Sequence, residues 1–355
     1  MAIILRDTRT NLATVDLRYD VGAKDDPPGR AGLAHLVEHL MFELRPAPGA
    51  PPLAADLEAV ALTSHYTATV PAAAIARLIA IEGRRMAATC EQLDDATIAR
   101  ERDVVLAENA QTADRAVVYD LVSRAIYGDD HPYARPISTD EIAGATRAEI
   151  CGFIAEHYVP ARASLVITGA VDVDRVAKLT GAVFGGFARR APRPPLHPSP
   201  PTLRGEIAIR APIDEPTALV AFAAPPFGSR GVAAAQVARA LLAEALADAD
   251  RDNDWIIGTD VVEIGDDRAP TTVAVVTVRR PEELGAAADE VFAQARALFE
   301  VGGRDSGRLR TRMALDYMRQ WDDVASRGPW IARFLQYADH ERFMLDELAG
   351  VARPW

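Results

Sequence analysis

Residues 186 to 201, GFARRAPRPPLHPSPP, hold six prolines, and no other feature of this chain limits its fold so strongly. Proline fixes φ and donates no backbone hydrogen bond, so it neither continues a helix nor sits inside a sheet. A segment this rich in it is an extended, semi-rigid spacer. The chain therefore has to bury its apolar residues in two bodies. The expected division is a first domain at 1–185, a Pro-rich linker at 186–203 and a second domain at 204–355, short at its C-terminal end. With 355 residues, 49% of them hydrophobic, each body can have a sizeable core.

Both halves run through strands and helices in a similar order. LATVDLRYDVG (12–22) alternates as a strand, and a Pro-Pro-Gly turn leads to a helix starting near Ala31. VPAAAIARLIAIEGRRMA (70–87) reads as an amphipathic helix, LVITGAV (165–171) as a short buried strand, and Asp94 or Asp95 as the cap of the helix between them. Beyond the linker, GEIAIRAP (205–212), TALVAFAAP (217–225) and TTVAVVTVRR (271–280) read as strands. GVAAAQVARALLAEALADA (231–249) and PEELGAAADEVFAQARALFE (281–300) read as helices, the latter with Pro281 at its start.

The chemistry-bearing motif is in AHLVEHLMFE (34–43). Its HxxEH core places His35, Glu38 and His39 at i, i+3 and i+4, one face of a helix. Two neutral imidazoles there can ligate one Zn²⁺, and an adjacent carboxylate outside the metal shell can accept a proton from water. The arrangement is the inverzincin signature. The competing reading is a hydrogen-bonded structural pair on an amphipathic helix. Catalytic zinc usually takes three protein ligands, and the helical stretch at 98–121 offers Glu101 and Glu108, two turns apart on one face. Glu108 is the expected third ligand and Glu101 a carboxylate behind the ligands that orients one of them. His65 suits a cross-strand contact, while His131 and His157 suit turn and helix-end roles. His197 lies in the proline segment and His340 among charged residues, neither with a metal-ligand partner at the right spacing.

Four blocks, GAKDDPPGRAGLAHLVEHLMFE, ERDVVLAENA, GDDHPYARPISTDEI and HYVPARASLVITGAVDVDRV, occur in the order found in the pitrilysin-type M16 metallopeptidases, which this chain resembles over much of residues 18 to 180. The resemblance implies an α+β fold of two related M16-type domains, each a mostly antiparallel sheet packed with helices. It implies one zinc per chain on His35, His39 and Glu108, Glu38 as general base, and hydrolysis of unfolded peptides. It also implies substrate binding along an edge strand, to which Ala61, Leu62, Thr63 and Ser64 belong. The family's asparagine on that strand falls on Val60, and the arginine and tyrosine that complete active members are absent near Arg251. The chain thus resembles the zinc-bearing member of a bacterial processing-peptidase-like pair, with a sister subunit supplying those two residues, or else a homodimer. The alternative the resemblance allows is a weak or inactive scaffold subunit that keeps the fold.

A net charge of −12 argues against nucleic acid, whose phosphates require a basic surface. No stretch approaches the length of apolar residues needed to span a bilayer. The N-terminus lacks a signal-peptide pattern, giving a cytoplasmic expectation, or a periplasmic one had a leader been trimmed. The two cysteines, Cys90 and Cys151, are expected to be small core residues rather than a disulfide framework.

Overall fold

The computed structural model describes residues 1–45, 60–61, 65–87, 89–111, 113–135, 137–187, 198–201, 205–209, 211, 213–300, 307–338 and 343–352. Most of the proline segment, together with Leu62, Thr63, Ser64, His197 and His340, lies outside the described residues. The elements begin with β1 (Ala2–Arg6), β2 (Leu12–Tyr19), α1 (Leu33–Phe42), β3 (Val60–Ala61), β4 (His65–Pro71), α2 (Ile75–Met86), α3 (Asp95–Gln111) and α4 (Ala113–Tyr127). There follow α5 (Thr139–Ala143), α6 (Arg147–His157), β5 (Ala163–Gly169), α7 (Val173–Phe184), β6 (Thr217–Ala223) and α8 (Val232–Asp252). The last are β7 (Ile256–Ile264), β8 (Thr271–Val278), α9 (Leu284–Glu300), α10 (Gly307–Asp322), α11 (Val324–Tyr337) and α12 (Phe343–Ala352).

Two compact units form: Met1–Ala113 with Pro136–Leu196 and Gln320–Gln336, and Asp114–Arg135 with His197–Arg319 and Tyr337–Trp355. They do not follow the expected division at 186–203. Residues 114–135 belong with the second sheet because Val122 and Ile126 of α4 bury themselves against Ile264 and Val273. Residues 320–336 belong with the first, where Arg327 of α11 pairs with the buried Asp7 at 2.8 Å and Thr168 donates to the Val324 carbonyl.

The first unit is built on a five-stranded sheet in the order β1-β5-β2-β4-β3, antiparallel except for the β1/β5 pair. Strand β5 is buried along its whole length, as expected of a central apolar run. In β2 the period-2 alternation sends Ala13, Val15, Leu17 and Tyr19 into the main core and Thr14 and Asp16 to the opposite face. There α11 packs at Gly328, where a Cβ would stand 3.4 Å from Asp16 Cβ and 3.5 Å from Thr14 Cγ2, ordinary contact distances.

The two cysteines depart from expectation. Cys90, opening the turn before α3, and Cys151 in α6 form a disulfide with Cα atoms 5.2 Å apart, within the range such bonds require. Sequence spacing gave no hint of it because the turn and helix meet only in the tertiary fold.

The second unit carries a three-stranded antiparallel sheet, β6-β8-β7. Leu242 and Leu246 of α8 and Val291 of α9 pack on Val220, Ala274 and Val276 on one face, and α4 covers part of the other. The expected strand at 205–212 is not formed: its described residues have no strand pairing, and Ile207 and Ile209 are exposed. The two sheet-and-helix units make an α+β fold of the kind expected. Among the described residues no helix is long and apolar enough to cross a membrane.

Candidate metal centre

Helix α1 is held by its apolar side. Leu33, Ala34, Leu36, Val37, Leu40 and Met41 are buried in the first unit's core, which leaves His35, Glu38 and His39 on the less buried face. The helix start is fixed by Asp26, whose two carboxylate oxygens accept from the backbone N–H groups of Gly32 and Ala34, each at 2.7 Å. Gly32 takes the left-handed conformation at the entry, φ 93°, a conformation a side chain would strain. At the other end Arg85, fully buried in α2, donates to the Met41 carbonyl at 2.6 Å. Its guanidinium also lies over the Phe42 and Tyr66 rings and pairs with buried Glu82. A cation at a helix C-terminus offsets the exposed carbonyl dipoles.

Helix α3 starts where Asp94 accepts from the Thr97 N–H at 2.7 Å. Ile98, Glu101 and Val105 form its buried stripe, and Glu108 is the next position on that stripe by helical period. The stripe faces α1, so the packing that joins the helices delivers the carboxylates.

The result is a cluster in which one ligand atom each from His35, His39 and Glu108 lie within 4.8 Å of one another. Glu108 Oε2 stands 3.5 Å from His35 Nε2 and 3.4 Å from His39 Nε2. Those distances are long for hydrogen bonds. They match the roughly 3.3–3.4 Å that separates two ligand atoms each about 2.0–2.1 Å from a tetrahedral zinc. Two imidazole nitrogens and one carboxylate oxygen, half-buried, are the donor set of a catalytic zinc with an open position. Burial, with the neighbouring His39, lowers the His35 pKa against the opposing pull of Glu108, favouring the neutral imidazole that a metal needs. Glu101 is mostly buried, its Oε2 3.5 Å from His39 Nδ1. Glu38 is half-buried on the same face of α1, close enough to help push the Tyr66 hydroxyl well above its ordinary pKa, a shift caused mainly by burial.

Of the expected substrate strand, Ala61 is described, in β3 at one edge of the sheet among the described residues, and pairs with Tyr66 of β4; Leu62, Thr63 and Ser64 lie outside the described residues. His131 caps a short turn, accepting from the Tyr133 N–H, and buried His157 sits against Arg162. These contacts are of the turn and helix-end kind expected. Sequence reasoning missed Asp26 and Arg85. Asp26 had a readable signal, an acid just upstream of the helix, whereas nothing in α2 marks Arg85 as other than a surface arginine.

A family model described as the peptidase M16 inactive domain matches residues 144–302. An uncharacterized zinc protease of Mycobacterium tuberculosis is 31% identical over 201 residues, 51% of this chain and 44% of that protein. The mitochondrial-processing peptidase subunit beta of Saccharomyces cerevisiae is 28% identical over 216 residues, 57% of this chain and 46% of that one. The matches thus span less than half the length of these curated relatives. Among solved structures, a peptidase M16 inactive domain from Pseudomonas fluorescens superposes with a TM-score of 0.80 at 13% identity, covering 99% of this chain and 89% of that chain. A protease from Helicobacter pylori gives 0.78 at 16% identity, covering 99% and 92%. At such identities these last two speak for the fold alone. The chain has the α+β fold of these M16 structures and is similar in sequence to M16 proteins. Within that class it is similar to zinc proteases.

Proposed function

We propose that this chain is a zinc-dependent endopeptidase acting on unfolded peptides, or the zinc-bearing subunit of one. The observation that supports the reading is the convergence of His35, His39 and Glu108 beside Glu38, at separations that suit zinc. His35, His39 and Glu108 would hold one zinc per chain, and Glu101 would orient His39. When bound, zinc supplies a Lewis acid that lowers the pKa of water toward about 7. Glu38 takes a proton from the attacking water and returns it to the leaving amine. The peptide adds as a strand along β3, where main-chain pairing binds with little sequence preference. A sister subunit would supply the arginine and tyrosine absent near Arg251, and a homodimer is the simpler variant of that arrangement.

Glu38→Gln tests the assignment. The variant is expected to retain about one zinc per chain by elemental analysis and to lose hydrolysis of an unfolded peptide by at least a hundredfold, within the range general-base removal costs. Retained hydrolysis would remove Glu38 from its role. Two observations favour a second reading, a scaffold subunit: Val60 stands at the family's asparagine position, and no tyrosine lies near Arg251. A purified wild-type chain that holds zinc yet cleaves nothing, alone or with a sister subunit, would select it.

A further inference from the structure

We propose that Arg100 is a positioning residue for the His39 ligand, acting through Glu101; the inference rests on the zinc reading above. Arg100 precedes Glu101 on α3, and its side chain forks between two carboxylates on different elements. Nε donates to Glu101 Oε1 at 3.1 Å, and Nη2 donates to Glu43 Oε2 at 2.5 Å. Glu43 is the residue that closes α1, its N–H bonded to the Leu40 carbonyl. One guanidinium therefore joins the end of the helix that carries the histidines to the helix that carries the glutamates.

The two oxygens of Glu101 have separate tasks. Oε1 is taken by Arg100, which leaves Oε2 facing His39 Nδ1 at 3.5 Å. A carboxylate at Nδ1 favours the tautomer with its proton there, and so leaves the Nε2 lone pair for the metal. On the far side of the ring, His39 Nε2 lies 3.4 Å from Glu108 Oε2. Without Arg100, nothing in this chain of contacts would stop the Glu101 carboxylate rotating to share its oxygens between water and the ring. The planar fork also explains why an arginine is used. A lysine is a point charge that can satisfy Glu43 or Glu101 well, but not both in one plane.

The test is zinc affinity of the full-length chain, by competition with a chromophoric chelator, alongside the thermal midpoint of the metal-free protein. Arg100→Met is expected to weaken zinc about tenfold, at the low end of what loss of an outer partner costs a metal site, with little change in the midpoint. Arg100→Lys should recover part of the loss. Because Arg100 is half exposed, the difference between wild type and Arg100→Met should narrow at high salt. In a Glu101→Gln background, Arg100→Met should have almost no further effect, since the two act through one contact. Equal zinc affinity in wild type and Arg100→Met, or additive losses in the double variant, would overturn the positioning role and leave the zinc site standing. A wild-type chain that takes up no zinc would overturn both readings.

Discussion

Breaking the Cys90–Cys151 bond should lower the melting temperature without abolishing the fold. The bond closes a loop with a sequence separation of 61, for which chain-entropy reasoning gives about 4 kcal/mol at 25 °C, with removal of native bonds typically costing about 2–5. The junction has other ties. Arg147 of α6 donates to Asp95 and to the carbonyls of Cys90 and Leu93, so the turn and helix stay together locally and the lower half of that range applies. For a unit of this size each kcal/mol moves the midpoint by about 2–4 °C, giving a fall of roughly 5–10 °C. Thermal unfolding of the wild type with and without reductant, and of the Cys90→Ser/Cys151→Ser double variant, measures it. The reduced wild type and the double variant should melt together, and reductant should not move the variant. Alkylation of both thiols in unreduced, unfolded protein would refute the bond. Coincident midpoints for oxidised and reduced wild type would refute the energetic argument. Disulfides persist in oxidising compartments and are kept open in the cytosol, so the measured gap is also the stability the chain would lose in a reducing one.

Two further outcomes follow from buried charges in the first unit. Burial, with a contribution from Glu82, raises the Asp16 carboxyl to about 7 against the Thr67 hydrogen bond and the charge of Arg18. The native state therefore holds a proton that the unfolded chain releases near pH 4, and the stability this gives is lost as pH rises from about 4 through 7. Asp16→Asn should raise the thermal midpoint at pH 8 and leave it nearly unchanged at pH 4; equal shifts at both would refute the assignment. Arg85→Met strands the buried Glu82 carboxylate and removes the donor to the Met41 carbonyl, so it should cost about 3–5 kcal/mol in denaturant unfolding. Adding Glu82→Leu should restore much of the loss, and a single-variant cost below about 1 kcal/mol would show that the pair is not buried in solution.

The parts of this molecule legible in its sequence are those whose geometry is set by the chain within a few residues. The HxxEH face needed only a helix, and its apolar complement Leu33, Leu36, Val37 and Leu40 said which side would be buried. Strand β5 was readable because an apolar run between turn residues has little else to become. Pairings between distant segments were not readable. Cys90 and Cys151 carry no spacing signal, and the stripe of Val122 and Ile126 shows that α4 has a buried face without saying which sheet receives it. The alternation in GEIAIRAP fits a strand, yet a strand needs a partner edge, and periodicity is silent about whether one is offered.

Glu108 is the instructive intermediate case, since it lies far from His35 in sequence and yet its part was open to inference. The reason is that Ile98, Glu101, Val105 and Glu108 share one helical stripe, of which the first three are buried. Once that stripe packs on α1 through its apolar members, the glutamates are carried to the same interface as the histidines. Assembly of the site and burial of the interface are then a single step. The carboxylates reach that interface at different depths, Glu101 mostly buried and Glu108 about half exposed. Metal binding at the cluster of His35, His39 and Glu108 should raise the stability of the first unit, since a ligand that favours the native state stabilises it by mass action.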